Sequence, residues 1–317
     1  MNNLDKTEFM RKTLVVWLGA LICCALWGSA FPCIKIGYKM FAVSDADPFS
    51  QILFAGIRFT MAGILAIILG SIGSKKILKP HKKAWGKIFI LSMLQTVWQY
   101  IFFYVGLAHT TGVKASILDG TNVFIAILVA SLLMHQEKLN SKKILGCFVG
   151  FAGMVLINLN GSGMDFHFTF LGEGFILLSA VVYSFSSVMV KEYSKTENPV
   201  MLSGYQFVLG GIILMIAGAA FGGRLTVITG KGILLLLYMA LISAVAYSLW
   251  GMLLKYNPVS RVAVFGFMNP VFGVVLSALL LGEGQAISLL SILSLVLVCG
   301  GIYIVNHENT NHKKETT

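Results

Sequence analysis

Arg58 and Asp119 are the residues best placed to do chemistry, because each lies inside an apolar run. An ionised side chain at a bilayer centre costs roughly 2.5–3.5 kcal/mol on insertion scales, so it faces a partner or a wet cavity. Arg58 falls about nine residues into its run, ~13 Å deep, and Asp119 about seven into another, ~10 Å deep, at 1.5 Å per residue. Both runs enter from the same side, so the spacing predicts that the two charges pair or share a polar cavity. Two roles stay open: a structural clamp, or coupling to a proton carried by Asp119.

Asn122 follows Asp119 by three residues and shares its helix face. Asn269 is its counterpart late in the chain, beside Pro270, which frees the carbonyl of Gly266. Pro32 does the same to the carbonyl of Gly28, because proline has no amide hydrogen to donate. Polar or broken helix centres at matching places in two halves point to a transport site. Asparagines also serve simply to hydrogen-bond neighbouring helices.

A third group is aromatic. Gln95, Trp98, Gln99, Tyr100 and Tyr104 share one run, and Ser243, Tyr247 and Trp250 share another. Aromatic walls with sparse amides suit organic solutes, while some of these rings, Tyr100 and Tyr104 with Trp85, also fit an interfacial belt. The candidate cavity is Trp27, Gln95, Trp98, Gln99, Asn122, Tyr183, Gln206, Tyr247, Trp250 and Asn269. Lys35, Lys114 and Arg261 sit near helix ends, where long cations snorkel. Glu173 is expected in solvent, and Glu137 and Glu283 in loop contacts. His109 is expected to be exposed. The lysines from Lys75 to Lys87 suit anionic lipid.

The elements that position these residues follow from composition. The chain has 317 residues, 57% hydrophobic and 12% charged. Soluble domains carry about 25% charged residues, and the mean hydropathy here is +0.83. A net charge of +11 would suggest nucleic acid in a soluble protein. Here the cations lie between apolar runs, so they report orientation in a bilayer instead. Cys23, Cys24, Cys33, Cys147 and Cys299 all fall in apolar runs and read as small core residues.

Ten runs are long enough to span: about 14–34, 50–72, 85–108, 112–134, 141–159, 171–190, 201–221, 232–254, 258–281 and 286–305. The predicted class is an all-α polytopic membrane protein of ten helices. With the N-terminus inside, about 18 Lys and Arg fall inside against 4 outside, with Arg58 and Lys114 in spans. That bias places both polar tails, 1–13 and 306–317, in the cytoplasm.

The second half repeats the first. TGVKASILDGTNVFIAILVASLLMHQE from Thr111 matches PVSRVAVFGFMNPVFGVVLSALLLGE from Pro258, an offset of roughly 147 residues. Arg58-Phe59 aligns with Gln206-Phe207, Trp27 with Tyr183, and Tyr100 with Tyr247. Repeats over 14–159 and 171–305 hold five spans each. Five is odd, so the second enters the membrane inverted, an architecture of many secondary transporters.

WGSAF followed by Lys35, and FMNPVFGVVLSALLLGE with Pro270 and Glu283, resemble the EamA-type branch of the drug/metabolite transporter superfamily. TNVFIAILVASLLMHQE with Glu137 is a weaker echo. The resemblance covers roughly residues 14 to 305. It implies five-plus-five helices that move amino acids, metabolites or drugs. Asn122 departs from the family's proline, and Tyr183-Ser184 from Trp-Gly.

The expectation is therefore a secondary transporter, an exporter of small organic metabolites or amino acids, working by alternating access on a gradient. The chain shows no nucleotide-binding loop, HExxH or GxSxG, so no cofactor, metal or nucleic acid is expected and an enzyme is disfavoured. A passive channel is the competing reading. The partners are the lipid bilayer and a small organic solute, with proton coupling through Asp119, and the location is a bacterial cell membrane.

Overall fold

The computed structural model describes residues 3–44, 47–110, 115, 118–158, 168–281 and 289–311. Lys114 and Glu283 lie outside the described residues. Among the described residues the ordered elements are all helical. Helix α1 (Asn3–Arg11) leads into α2 (Thr13–Phe41), α3 (Pro48–Ser74) and α4 (Ala84–Leu91). A π-helical turn, Ser92–Trp98, joins α4 to α5 (Gln99–Ala108). Then come α6 (Asn122–Leu128), which runs into a second π turn at Val129–Leu133, and α7 (Ser141–Asn158). The π turn Phe170–Gly174 opens α8 (Phe175–Tyr193), followed by α9 (Pro199–Ala220) and α10 (Gly230–Tyr256). Last are α11 (Val259–Ala263), a 3₁₀ turn (Val264–Phe267), α12 (Met268–Leu281) and α13 (Leu289–Asn311).

Six helices among the described residues are long and apolar enough to cross a membrane, and Asn122–Leu133 and Ile292–His307 are shorter apolar helices. Their outer faces are apolar: Leu18, Ile68, Phe148, Ile216 and Ile292 are all exposed. Only lipid suits a surface of this kind. The protein is an integral membrane protein.

Helix starts follow local chemistry. Asp47 caps α3 by accepting from the Ser50 amide at 3.0 Å and the Ser50 hydroxyl at 2.5 Å. The Ser50 hydroxyl, then its amide, hold the Asp47 carboxyl below its ordinary range. Asn198 caps α9 in the same way through the amides of Val200 and Met201. Each cap precedes a proline at the first turn, where the missing donor costs nothing. Helix α2 continues past Pro32 and Lys35 to Phe41, so the expected loop at 35–49 is largely helix. The freed carbonyl does not end it, because Gly28 packs tightly on Phe272 and Gly273 and holds that turn.

The most extensive pairings are α3 with α9 and α7 with α13. Both run antiparallel at glycine distance. A Cβ on Gly63 would lie 2.5 Å from the Gly204 carbonyl, and one on Gly211 would lie 2.5 Å from the Thr60 amide. A Cβ on Gly146 would lie 2.6 Å from Val305, and one on Gly153 would lie 2.7 Å from the Ser294 carbonyl.

Contacts between distant segments place both described ends of the chain at one end of the bundle. Asn257 donates to the Met10 carbonyl at 3.0 Å, and Arg261 to the Thr13 hydroxyl at 3.0 Å. Next to Arg261, Ser260 gives its amide and hydroxyl to Glu137 at 2.9 and 2.7 Å. Glu137 bonds Lys143 at 3.3 Å, and one turn further on Gly146 meets Val305 near the C-terminus. Glu137 thus has the structural loop role expected of it.

Gly63→Val should lower thermal stability by at least ~1–3 kcal/mol, because neither backbone at the crossing can yield. Gly73→Ala, with nothing within 4 Å of its added methyl, should leave the melting temperature unchanged. Thermal unfolding of the purified protein in detergent distinguishes the two.

Candidate functional site

Helices α2, α3, α5, α9 and α10 bring an aromatic cluster to the middle of the bundle. Trp27 on α2 meets Tyr247 edge-on at 5.2 Å and Trp250 at 5.0 Å, both on α10. Tyr247 meets Phe207 at 4.8 Å. Phe207 stacks on Phe59 at 5.2 Å, and Phe59 lies 4.4 Å from Tyr100. The hydroxyls of Tyr100 and Tyr247 stand 3.1 Å apart, and these residues are 147 positions apart in the chain. That separation equals the repeat offset. Phe59 and Phe207, aligned by the same repeat, also touch. A pair of equivalent residues can meet only where the two halves meet, so both pairs mark that seam.

Polar groups edge the cluster. Arg58 donates from Nη2 to the Ser243 hydroxyl at 3.0 Å, and its guanidinium carbon lies 5.1 Å above the Phe59 ring. On the other side Gln206 accepts from Thr96 at 2.7 Å and donates to Gln95 at 3.3 Å. Arg58 and Gln206 are repeat partners, and each bridges to the helix that lies beside it in its own setting. Buried polar atoms near the rings without a partner include Trp27 Nε1, Arg58 Nε and Gln99 Oε1. Tyr100, Tyr183 and Asp119 are half-buried.

Arg58 and Asp119 do not pair. Among the described residues no ion pair includes either one. Asp119 instead accepts from Asn122 Nδ2 at 3.5 Å. Tyr183 is within electrostatic reach of Asp119 and of Tyr100, while Tyr100 and Tyr247 are within reach of Arg58. Similar depth fixed only one coordinate of each residue.

Asn122 is held at its backbone, where its carbonyl accepts from Ser184 at 2.9 Å, and a Cβ on Gly266 would come within 3.9 Å of its side chain. Asn269 Oδ1 is buried without a partner, next to the 3₁₀ turn that precedes Pro270. Gln99 lies beside Tyr247 and accepts at its carbonyl from Ser179 at 3.0 Å.

Trp98 does not join the others. It is 45% exposed on the outside of the bundle, stacked on Phe102 at 5.7 Å. The π turn Ser92–Trp98 carries an extra residue, which rotates the following face away from regular helical spacing. Tyr104 is a core residue, 3% exposed, and does not belong to an interfacial belt. Trp85, 47% exposed, does face outward. Glu173 is not in solvent: it is buried and accepts from Thr110 at 2.5 Å and from the Thr169 amide and hydroxyl at 2.7 and 2.8 Å. By accepting from the Thr169 amide, the Glu173 carboxylate caps the π turn Phe170–Gly174 that leads into α8. Cys299 is exposed, whereas the other four cysteines are buried free thiols. Phe59, Phe207 and Thr96 belong to the cluster but were not among the residues singled out by type. Their signal was the repeat itself, in which Phe59 and Phe207 align.

The EamA-like transporter family model matches residues 14–159 and 170–307. The chain belongs to the EamA-like transporter family. This is a family of transporters, not of enzymes. An uncharacterized transporter of Archaeoglobus fulgidus is 28% identical, over 81% of this chain and 86% of its own. YvbV, an uncharacterized transporter of Bacillus subtilis, is 26% identical over 91% and 90%. A protein of Escherichia coli named a probable amino-acid metabolite efflux pump is 26% identical over 90% and 92%. A solved crystal structure superposes with a TM-score of 0.73 at 16% identity, covering 91% of this chain and 95% of that one, and so shares the fold.

Trp250→Ala should weaken solute binding in this family member by about tenfold or more, as loss of a buried aromatic anchor does. Trp98→Ala should leave it unchanged. Transport by the two variants, at matched amounts of folded protein, checks the assignment.

Proposed function

We propose that this EamA-family transporter is a gradient-driven exporter of small organic metabolites or amino acids that works by alternating access. Its ten spans form two inverted five-helix halves, residues 14–159 and 171–305, in a bacterial cell membrane with both tails in the cytoplasm. The observation that carries this reading is the contact of repeat partners, Tyr100 with Tyr247 and Phe59 with Phe207, at the middle of the bundle.

Other features support it. Helices α3 and α9 hold matching places in the two halves, as do α7 and α13, and each pair packs antiparallel. Antiparallel packing of equivalent helices is what an inverted repeat requires. The end carrying Met10, Glu137, Asn257 and Arg261 is tied by hydrogen bonds between distant segments, including one from Lys191 to the Asn257 carbonyl. Because the tally of cations makes that end cytoplasmic, the conformer is shut toward the cytoplasm. The aromatic walls, with Arg58, Gln99, Asn122 and Asn269 at their edges, form the solute site. Asp119, half-buried and unpaired with any cation among the described residues, carries the coupling proton.

Purified protein in liposomes, screened with amino acids and small metabolites, should show saturable flux and counter-exchange, faster with a pH gradient. Asp119→Asn should remove the response to the gradient. Flux that never saturates and shows no counter-exchange would identify a passive channel. Full activity of Asp119→Asn with unchanged pH dependence would remove that residue from coupling.

A further inference from the structure

We infer that the transported solute is an anion, a carboxylate on an aromatic or apolar body, and that Arg58 binds its charge. The inference rests on the aromatic cluster being the transport site.

Arg58 is 3% exposed, and among the described residues it has no carboxylate partner. A guanidinium carries five N–H donors. Here Nη2 reaches Ser243, and Nε is buried with no acceptor. The Phe59 face beneath it offsets part of the charge but supplies no hydrogen-bond acceptor. A buried cation left in this state is costly, and an anion arriving in a forked pair with it recovers that cost. Lipid cannot supply that anion, since Arg58 faces the seam between halves and not the outer surface.

The repeat shows that folding does not need the charge. Gln206 occupies the equivalent place in α9, fully buried, with its amide closed by Thr96 and Gln95. One half therefore bridges to the other with a satisfied neutral amide. The other does so with a cation that keeps a donor spare. The asymmetry puts one positive site beside the aromatic cluster of Trp27, Tyr100, Tyr247 and Trp250, and those rings would take the apolar body of the solute.

The test compares acids with their isosteric amides. Purified protein in detergent is heated with 3-phenylpropionate or 3-phenylpropionamide, and with indole-3-acetate or indole-3-acetamide. Each acid should stabilise wild-type protein at a concentration about tenfold or more below its amide, as loss of a charge-assisted pair implies. Arg58→Gln, the residue the other half already uses, should melt near wild type and lose the preference. Arg58→Lys, which keeps the charge but not the fork, should retain part of it. Equal stabilisation of wild type by acid and amide would overturn the inference, as would a preference that survives in Arg58→Gln. The wild-type comparison stands even if a variant fails to fold. Stabilisation by the amides alone, lost in Trp250→Ala, would keep the aromatic cluster as the site, overturn the inference and remove Arg58 from solute binding. If none of the four compounds stabilises the protein, the inference fails, while saturable flux of another solute in liposomes would leave the transporter reading intact.

Discussion

Two phenolic oxygens 3.1 Å apart, on Tyr100 and Tyr247, lie where the halves of this protein touch. A phenol hydroxyl inside an apolar bundle is stabilised by a partner. Each of these finds its own repeat partner, which is possible only close to an axis relating the two copies. The stacked pair of Phe59 and Phe207 satisfies the same condition with rings in place of hydroxyls. Once these contacts are made, the surrounding geometry is constrained. Helices α3 and α9 must cross antiparallel and closely, and glycine at Gly63, Gly204 and Gly211 lets their backbones approach.

The same seam explains why polar groups survive in an apolar bundle. Helix association in lipid draws on close packing and on hydrogen bonds between helices, since lipid and leucine are equally apolar. Gln206 with Thr96 and Gln95 is a closed case of that second contribution. Arg58 with Ser243 is an open one. At these matching positions one half is neutral and satisfied and the other is charged with a free donor. A symmetric frame with an asymmetric lining suits a carrier, because the frame permits two related states while the lining decides what is carried.

Much of this was legible in the residues, and the failures have specific causes. Among the described residues, six of the ten expected runs are helices long and apolar enough to cross a membrane and two more are shorter apolar helices, and the offset between the segments at Thr111 and Pro258 matches the separation of Tyr100 and Tyr247. Trp27, Tyr247 and Trp250 were chosen as aromatic groups deep in runs, and they do converge. Arg58 and Asp119 were matched by depth alone, and depth says nothing about direction around a helix axis. A mid-run position suggests the cavity for Trp98 but does not fix direction around the helix axis, and the π turn at Ser92–Trp98 leaves that ring on the outside. Glu173 was taken for a solvated end residue. Three-dimensional proximity to Thr110 and Thr169 made it a buried cap.

The central claim is that the two halves are inverted with respect to each other, and labelling from either side of the membrane tests it most directly. Lys79 and Thr226 are exposed loop residues 147 positions apart, equivalent under the repeat. Single cysteines at these positions, in a background without the native five, would be treated with a membrane-impermeant thiol reagent. The inverted arrangement predicts that Thr226→Cys reacts in intact cells while Lys79→Cys reacts only in inside-out vesicles. Reaction of both from the same side would contradict it.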